Sequence, residues 1–530
     1  MRLLKKESSH RFRMEDELSP EEFARQRRWK LLLIIGVCLN ALVVFTSDLG
    51  LDTHLHLTYA TVEGGQGEAY LDWGHTRPID TKASDPSYAP VRENGWFQFI
   101  GDSPMDVRLL SFTVTLGFIG LLYKQDKLEL AALVALYPTF IFSTGRGYPE
   151  VFIAAMLYAT TILVMQSCRE EDENKARIRS LAISVPMAAV LAIKGMSMWY
   201  GLAFGFGALI WFELARQHDG FCRWASQPTS VAMSCGLGVA STLLVMGYFG
   251  ISTTLGVVGD APARFASALL ISVLDVVIIY SLLGMVLWPF IGPAIQGMKE
   301  VTDLETASIA GMVAAFTAAI TVYVAALWTY ESLLWQAEWP WVTATMGNNG
   351  RYISLMMIPA YLLLSRLNHL NPSIPCLERP MGKYSALMVG IALIMPLSVL
   401  AAVHGQTMWT DDASEIMQDN IEKDEDFLFV APATLGMHWL YTFHYDIDPY
   451  GNNNITGHWR ADSTDWHDEL RNGTTYDNRG NLANVQWIII APNAGNAPEG
   501  FHLVADGDAD YLNGGGTWEV YTNHDSIIAV

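Results

Sequence analysis

Eleven separated apolar runs constrain this chain more than anything else in it. Their limits lie near 29–47, 107–123, 128–143, 149–166, 180–194, 196–214, 229–250, 267–291, 306–328, 351–366 and 384–403. A helix rises about 1.5 Å per residue, so about 20 apolar residues cross ~30 Å of hydrocarbon. The runs predict an α-helical polytopic membrane protein with about eleven transmembrane helices. Composition agrees: the chain is 51% hydrophobic and 16% charged, leaner in charge than water-soluble domains usually are. The polar segment 1–28 lacks the short basic region and small-residue cleavage site of a secretory signal. It is expected to stay in the cytoplasm, with the first run as an uncleaved anchor.

Charge gives an expected orientation. With segment 1–28 inside, the inner loops carry Lys124 and Lys127; Arg169, Lys175, Arg177 and Arg179; Arg216 and Arg223; Lys299; and Arg366, Arg379 and Lys383. The short outer loops are nearly bare of Lys and Arg, as the positive-inside rule asks. An odd number of spans sends the tail 404–530 outside, and the expected location is a prokaryotic plasma membrane. The net charge of −21 is concentrated in the two expected outer segments. Segment 404–530 holds 21 Asp plus Glu against 4 Lys plus Arg, and segment 48–106 holds 10 against 3. So acidic an exterior argues against nucleic acid as a partner. None of the five cysteines, Cys38, Cys168, Cys222, Cys235 and Cys376, falls in the expected outer segments, so no disulfide is expected there. The sequons at Asn454 and Asn472 lie in the tail.

Two segments are not spans. The loop 48–106 within the membrane domain 29–403 is too long for an ordinary connector. Its opening, "LDTHLHLTYATV", repeats Leu51, Leu55, Tyr59 and Val62 at helical spacing, which predicts a short interfacial helix. Asp52, His56 and Tyr59 share one stripe of that helix, and His54 points elsewhere. The tail contains strand-like runs, "DFLFVAPA" and "VQWIIIAP", with turn-like "APNAGNAPEG" and "YLNGGG". It is expected to be one exported α/β or β-rich domain.

Four stations of chemistry fall on the expected outer face. They are "LDTHLHLTYA" after the first span; "FSTGRGYPEVF", with Arg146, Tyr148 and Glu150; "AVLAIKGMSMW", with Lys194; and "GNNGRYISLMMIPAYLLL", with Arg351 and Tyr352. Charges at membrane depth are costly and are usually paired or functional. Lys and Arg at span ends suit a phosphate. A carboxylate beside them suits a general base, or with a second carboxylate a divalent metal. Together they suit a substrate with a lipid tail, an interfacial phosphate and a group to transfer. Each residue also has a plainer reading: a helix-start acid for Asp52 or Glu150, a polar interfacial residue for His54 or His56, a topology anchor for Arg146, and a snorkelling cation for Lys194 or Arg351.

These motifs resemble the GT-C membrane glycosyltransferases, close in pattern to protein O-mannosyltransferases and bacterial aminoarabinose transferases, and more distantly to the catalytic subunit of oligosaccharyltransferase. The resemblance implies a GT-C-like architecture and transfer of a sugar from a polyprenyl-phosphate donor to an acceptor hydroxyl on a lipid, glycan or protein. "DTHLHLTYA" is similar to the family's first-loop pattern and implies Asp52 as catalytic acid or base. "GRGYPEVFIAAMLYA" is similar to the second-loop pattern and implies Glu150 as the second acid, with Arg146 and Tyr148 ahead of it. "LAIKGM" and "GRYISLMMIPAYLLL" imply Lys194 and Arg351, with Tyr352, as contacts for the lipid phosphate. His54 and His56 are candidate substrate contacts. The cofactor is open; a divalent cation, Mg or Mn, would take Asp52 and Glu150 as its candidate ligands. The family's Asp-Glu pair is Asp52-Thr53 here, with Asp48 four residues earlier, and no Trp-Trp-Asp-Tyr-Gly motif is present.

The tail adds weaker signals. "GMHWLYTFHYDID" contains His438, His444, Asp446 and Asp448 and reads more readily as a strand with satisfied histidines than as a metal site. "DGDADYLNGGG" opens like a calcium loop at Asp506, Asp508 and Asp510, but Tyr511 and Thr517 break the pattern. The aromatic run from Trp328 to Trp341 suits an interfacial belt, a re-entrant helix or an acceptor groove. Two rival functions stand: a flippase or transporter for a lipid-linked precursor, and a non-catalytic membrane scaffold. A transporter should show internal repeats and polar residues at the midplane; the sequence shows no clear repeat, and its charged stations cluster at one face.

Overall fold

The computed structural model describes residues 19–50, 53–54, 57, 71–72, 103–193, 198–217, 228–248, 261–288, 290, 297, 303–334, 350–370, 380–381, 384–403, 408–431, 436–448, 453, 455–462, 465–472, 482–509 and 515–524. The chain enters through α1 (Pro20–Thr46). Ser19 and Glu22 form a reciprocal capping box at its start, and Pro20 occupies the first turn, where its missing N–H costs nothing. A two-residue strand β1 (Leu71–Asp72) follows, then α2 (Pro104–Lys124), α3 (Leu128–Leu136), α4 (Pro138–Gly145) and α5 (Glu150–Arg169). Next come α6 (Glu173–Ala182), α7 (Ser184–Ile193), α8 (Gly201–Gln217), α9 (Pro228–Tyr248), α10 (Pro262–Leu283) and α11 (Leu304–Leu334). The bundle closes with α12 (Gly350–Ser354), α13 (Met357–Leu370), the short pair β2 (Pro380–Met381) and β3 (Tyr384–Ser385), and α14 (Ala386–Val403).

Among the described residues, 8 helices are long and apolar enough to cross a membrane, or 9 if the bent pair α3–α4 is one span. Eight of the expected spans coincide with those helices. The expected count of eleven is not reached by this measure. Run 229–250 lies on α9, a continuous helix of 21 residues. Run 351–366 is divided between α12, of 5 residues, and α13, of 14. Large apolar side chains such as Leu270, Ile278, Val185 and Trp199 are exposed on the bundle, as lipid-facing residues would be.

The 58° bend between α3 and α4 has a local cause. Pro138 has no N–H to continue the helix and its ring crowds the preceding turn. The carbonyls this frees are taken up by neighbouring helices. Asn40 Nδ2 of α1 donates to Ala135 O at 2.8 Å, and Ser398 Oγ of α14 donates to Leu136 O at 2.5 Å. Gly36 lies against Ala135 so closely that a Cβ would come within 2.6 Å of it. The bend aims the chain after α4 toward the first-loop segment, which places the candidate site.

The tail begins with α15 (Trp409–Gln418), β4 (Asp426–Ala431), α16 (Gly436–Ile447) and β5 (Thr456–Ala461). It ends with α17 (Trp466–Asn472), β6 (Val485–Ile490), β7 (His502–Asp508) and β8 (Thr517–Thr522). One six-stranded sheet runs in the order β1-β5-β4-β6-β8-β7. Strands β1, β5, β4 and β6 are parallel, and β8 and β7 close the sheet antiparallel. Interior parallel strands are covered on both faces, and "DFLFVA" accordingly reads as a continuous apolar run rather than an alternation. The core gathers Trp409, Phe427, Phe429, Trp459, Trp487 and Trp518. Leu71 and Asp72 of the first loop pair with Gly457 and His458, so the loop adds a strand to the tail's sheet.

One tail expectation needs correction. "GMHWLYTFHYDI" is the helix α16, not a strand. Leu440, Phe443 and Ile447 bury one helical stripe in the sheet core, and that spacing of three and four decides the period. His444 is buried, with Nε2 3.2 Å from Ile455 O. The first residues of the calcium-like segment, whose pattern Tyr511 and Thr517 break, are strand: Asp506 and Asp508 lie on β7 opposite Glu519 and Thr517, and Asp508 Oδ1 accepts from Thr517 Oγ1 at 3.0 Å. Asp510, Asn454, Cys222, Cys376 and residues 335–341 of the aromatic run lie outside the described residues.

Candidate active site at one end of the bundle

Five chain segments converge where α1 ends. Asp48 Oδ1 accepts from Leu49 N at 2.6 Å, and the chain turns at once into a helical step, with Thr53 N and His54 N donating to Gly50 O at 2.8 and 3.0 Å. The turn after α4 locks onto it: Gly50 N and Thr53 Oγ1 both donate to Arg146 O, at 3.0 and 3.2 Å. Arg108 of α2 donates to Ser47 O. Two glycines permit this approach. A Cβ on Gly50 would stand 2.1 Å from Tyr148 Oη, and Gly147 has φ of +71° with Val107 and Leu49 closing over it.

His54 is buried, with Nε2 3.4 Å from Asp48 Oδ1. Glu150, at the first turn of α5, is 0% exposed, and Arg351 of α12 is 7% exposed. The Arg351 Nε and Glu150 Oε1 atoms are 3.8 Å apart. The Arg351 guanidinium lies 4.1 Å over the Tyr148 ring and 4.8 Å from the Tyr352 centroid, and its Nη2 donates to Tyr352 Oη at 2.9 Å. Such sandwiching fixes the plane of an arginine. A relay from α4 supports α12: Thr139 Oγ1 donates to Ser354 Oγ, and Ser354 Oγ to Arg351 O, each at 2.8 Å.

Thus His54, Arg146, Tyr148, Glu150, Arg351 and Tyr352, named from three separate sequence stations, are brought to one end of the bundle. Asp52, His56, Tyr59 and Lys194 lie outside the described residues. Asp48, four residues before Asp52, is nine-tenths buried at the centre of the cluster.

The sequence suggests that the tail binds the acceptor or covers the site, but not which of its residues reach it. Tyr445 of α16 packs with Leu49, Leu57 and Val107, and its ring meets His54 edge-on with centroids 6.0 Å apart. Asp411 of α15 and Asp446 of α16 approach Asp48. Burial, then the charge of Asp48, pushes Asp411 up to about 7. Burial, then the charge of Asp411, holds Asp446 well above the usual carboxylate range. Burial alone would raise Asp48, but the charge and hydrogen bond of His54, the Leu49 amide and Arg146 outweigh it and hold Asp48 below that range. Asp446 had been picked out in sequence for a different reason. Nothing in sequence links residues 411 and 446 to residue 48.

A metal held as the sequence suggests would need Asp52, which lies outside the described residues. Among the described residues no group of three or more His, Cys, Asp or Glu side chains could hold one. The neighbour of Glu150 is a guanidinium, which repels a cation.

No protein-family model and no curated protein matches the sequence. A crystal structure of ArnT from Cupriavidus metallidurans bound to undecaprenyl phosphate is similar at a TM-score of 0.42 and 12% identity, covering 94% of this chain and 98% of that chain.

Proposed function

We propose that the protein is a membrane glycosyltransferase of the GT-C type. It moves a sugar from a polyprenyl-phosphate donor to an acceptor hydroxyl on the outer face of the membrane. The observation that carries this reading is the buried Arg351, stacked on Tyr148 beside Glu150 where several helices end. A planar cation with a fixed orientation at that depth suits a lipid phosphate. The order of the first-loop, Gly-Arg-Gly-Tyr-Pro-Glu and Gly-Arg-Tyr motifs supports the same reading.

In the proposed reaction Asp52 takes the proton of the acceptor hydroxyl. The acceptor oxygen then forms a bond to the anomeric carbon as the bond from that carbon to the phosphate oxygen breaks. The lipid phosphate leaves with the electron pair, and Arg351 and Lys194 stabilise its charge. Single displacement inverts the anomeric centre. Arg146, Tyr148, His54, His56 and Tyr352 line the substrate, and Glu150 orients Arg351. No step is routed through a metal.

The test is sugar transfer by the purified full chain in detergent, with a panel of polyprenyl-phosphate sugars and a membrane-lipid acceptor extract. The Asp52→Asn variant should lose at least about a thousandfold in rate while retaining donor binding, as loss of a general base at a preorganised site does. Equal transfer in both proteins moves the base to Asp48 or Glu150. Donor binding without transfer from any sugar favours a flippase or a scaffold.

A further inference from the structure

The carboxyl pair of the tail has no part in the chemistry above. Asp411 projects from α15 and Asp446 from α16, two helices that pack along each other. Their carboxyl groups face each other, and Ser414 Oγ donates to Asp411 O at 2.9 Å. Asp48 and His54 face them from the first loop, Arg108 from α2 and Asp412 from α15 itself, while Arg146 faces Asp48 from the turn after α4. Tyr445, next to Asp446, is seated among Leu49, Leu57 and Val107 against His54. Asp48 Oδ2 and Asp446 Oδ2 are buried oxygens without a hydrogen-bond partner. Carboxyl groups this close cannot all ionise at low cost, and such a pair keeps a proton between its members.

We propose that Asp411 and Asp446 are positioning residues: as long as the pair keeps a proton it clamps the tail onto the Asp48–His54 segment, and when the proton leaves, the clamp loosens. The docked side chain is Tyr445, and the docked surface is Leu49, Leu57, Val107 and His54. Both members of the pair titrate above the ordinary carboxyl range in the folded chain. Their contribution is therefore fully present at acid pH and is lost as the pH climbs through about 7 and beyond. Full ionisation would set three carboxylates, Asp48, Asp411 and Asp446, side by side with Arg108 and Arg146 as the opposing cations.

Hydrogen exchange of the full chain in detergent tests the clamp without any sugar. Rates are compared at pH 6.5 and 9 after correction for chemical exchange, in peptides covering Leu49–Leu57 and Tyr445. In the wild type, protection there should fall about tenfold or more as the clamp opens locally. In Asp411→Asn and Asp446→Asn the amide supplies the missing hydrogen permanently, and the loss should stay within about twofold. Asp412→Asn removes a charge from the exposed side of α15 and should behave as the wild type. Peptides from β4 and β6 report whether each variant is folded. An equal fall in the wild type and both folded pair variants, or no fall in the wild type, overturns the proposal; if neither variant folds, the wild type alone decides.

The consequence for catalysis rests on the glycosyltransferase reading. Transfer should decline on the alkaline side, and either pair variant should move that limb up by about one pH unit or more. A purely structural role would lower activity at every pH and leave the limb in place. Absence of transfer at any pH would sink the functional reading and leave the exchange result standing.

Discussion

Helix α5 carries a charged residue at each end, and its two ends are built differently. At the C-terminal end Arg169 makes two short bonds to Glu305, Nε to Oε2 at 2.8 Å and Nη2 to Oε1 at 2.6 Å. Arg366 adds contacts of 3.4 Å to Asp303 and 3.5 Å to Glu305. The result fastens α5, α11 and α13. At the N-terminal end, about 30 Å away for 20 residues, Glu150 and Arg351 stand 3.8 Å apart, and the guanidinium faces lie on Tyr148 and Tyr352. The same pair of residue types serves as a fastener where the fork meets the carboxylate squarely. Where aromatic rings fix the plane and the ion pair is long, it is suited to receive an anion.

Three substitutions would break or sharpen that contrast. Arg351→Lys keeps the charge but loses the planar fork and the stacking. Transfer should fall about a hundredfold, or ~2.7 kcal/mol in the barrier, in kcat/KM with a polyprenyl-phosphate sugar. Gly50→Ala comes next. The new Cβ would meet Tyr148 Oη at 2.1 Å and push the ring from under Arg351. An expected loss of about tenfold should be concentrated in KM for the donor, since the phosphate contact is disturbed rather than removed. Glu305→Gln should have the smallest effect on transfer, within about twofold, but should lower the unfolding midpoint by a few degrees because it weakens a paired, buried carboxylate. If Glu305→Gln abolished transfer and Arg351→Lys spared it, the two ends would have been assigned the wrong way round.

The contrast also separates what could be read from the chain. Apolar runs of span length exposed most of the bundle, because lipid demands continuous hydrophobicity and that demand is written residue by residue. The strands "DFLFVA" and "VQWIII" were equally legible. The helix α16 was not, because its aromatic residues also fit a strand, and packing of Leu440, Phe443 and Ile447 on the sheet decided between them. The weak point of the span count, the interrupted α12–α13, is a place where apolar sequence is divided by a backbone break that hydropathy does not see.

At the site, sequence alone determined which residues carry charge near span ends: Arg146, Glu150 and Arg351 stand out because charge at that depth is costly and rare. Only tertiary structure decided what each one meets. The proline bend between α3 and α4 aims the Arg146 turn at Gly50, and Tyr148 is thereby set beneath Arg351. Strand β1 joins the first loop to the tail's sheet, and Tyr445 brings Asp446 and Asp411 to Asp48 across some four hundred residues of chain. Local periodicity encodes the elements, because burial is a demand each segment meets by itself. The company of a buried carboxyl is set by which segments pack together, and no single segment carries that information.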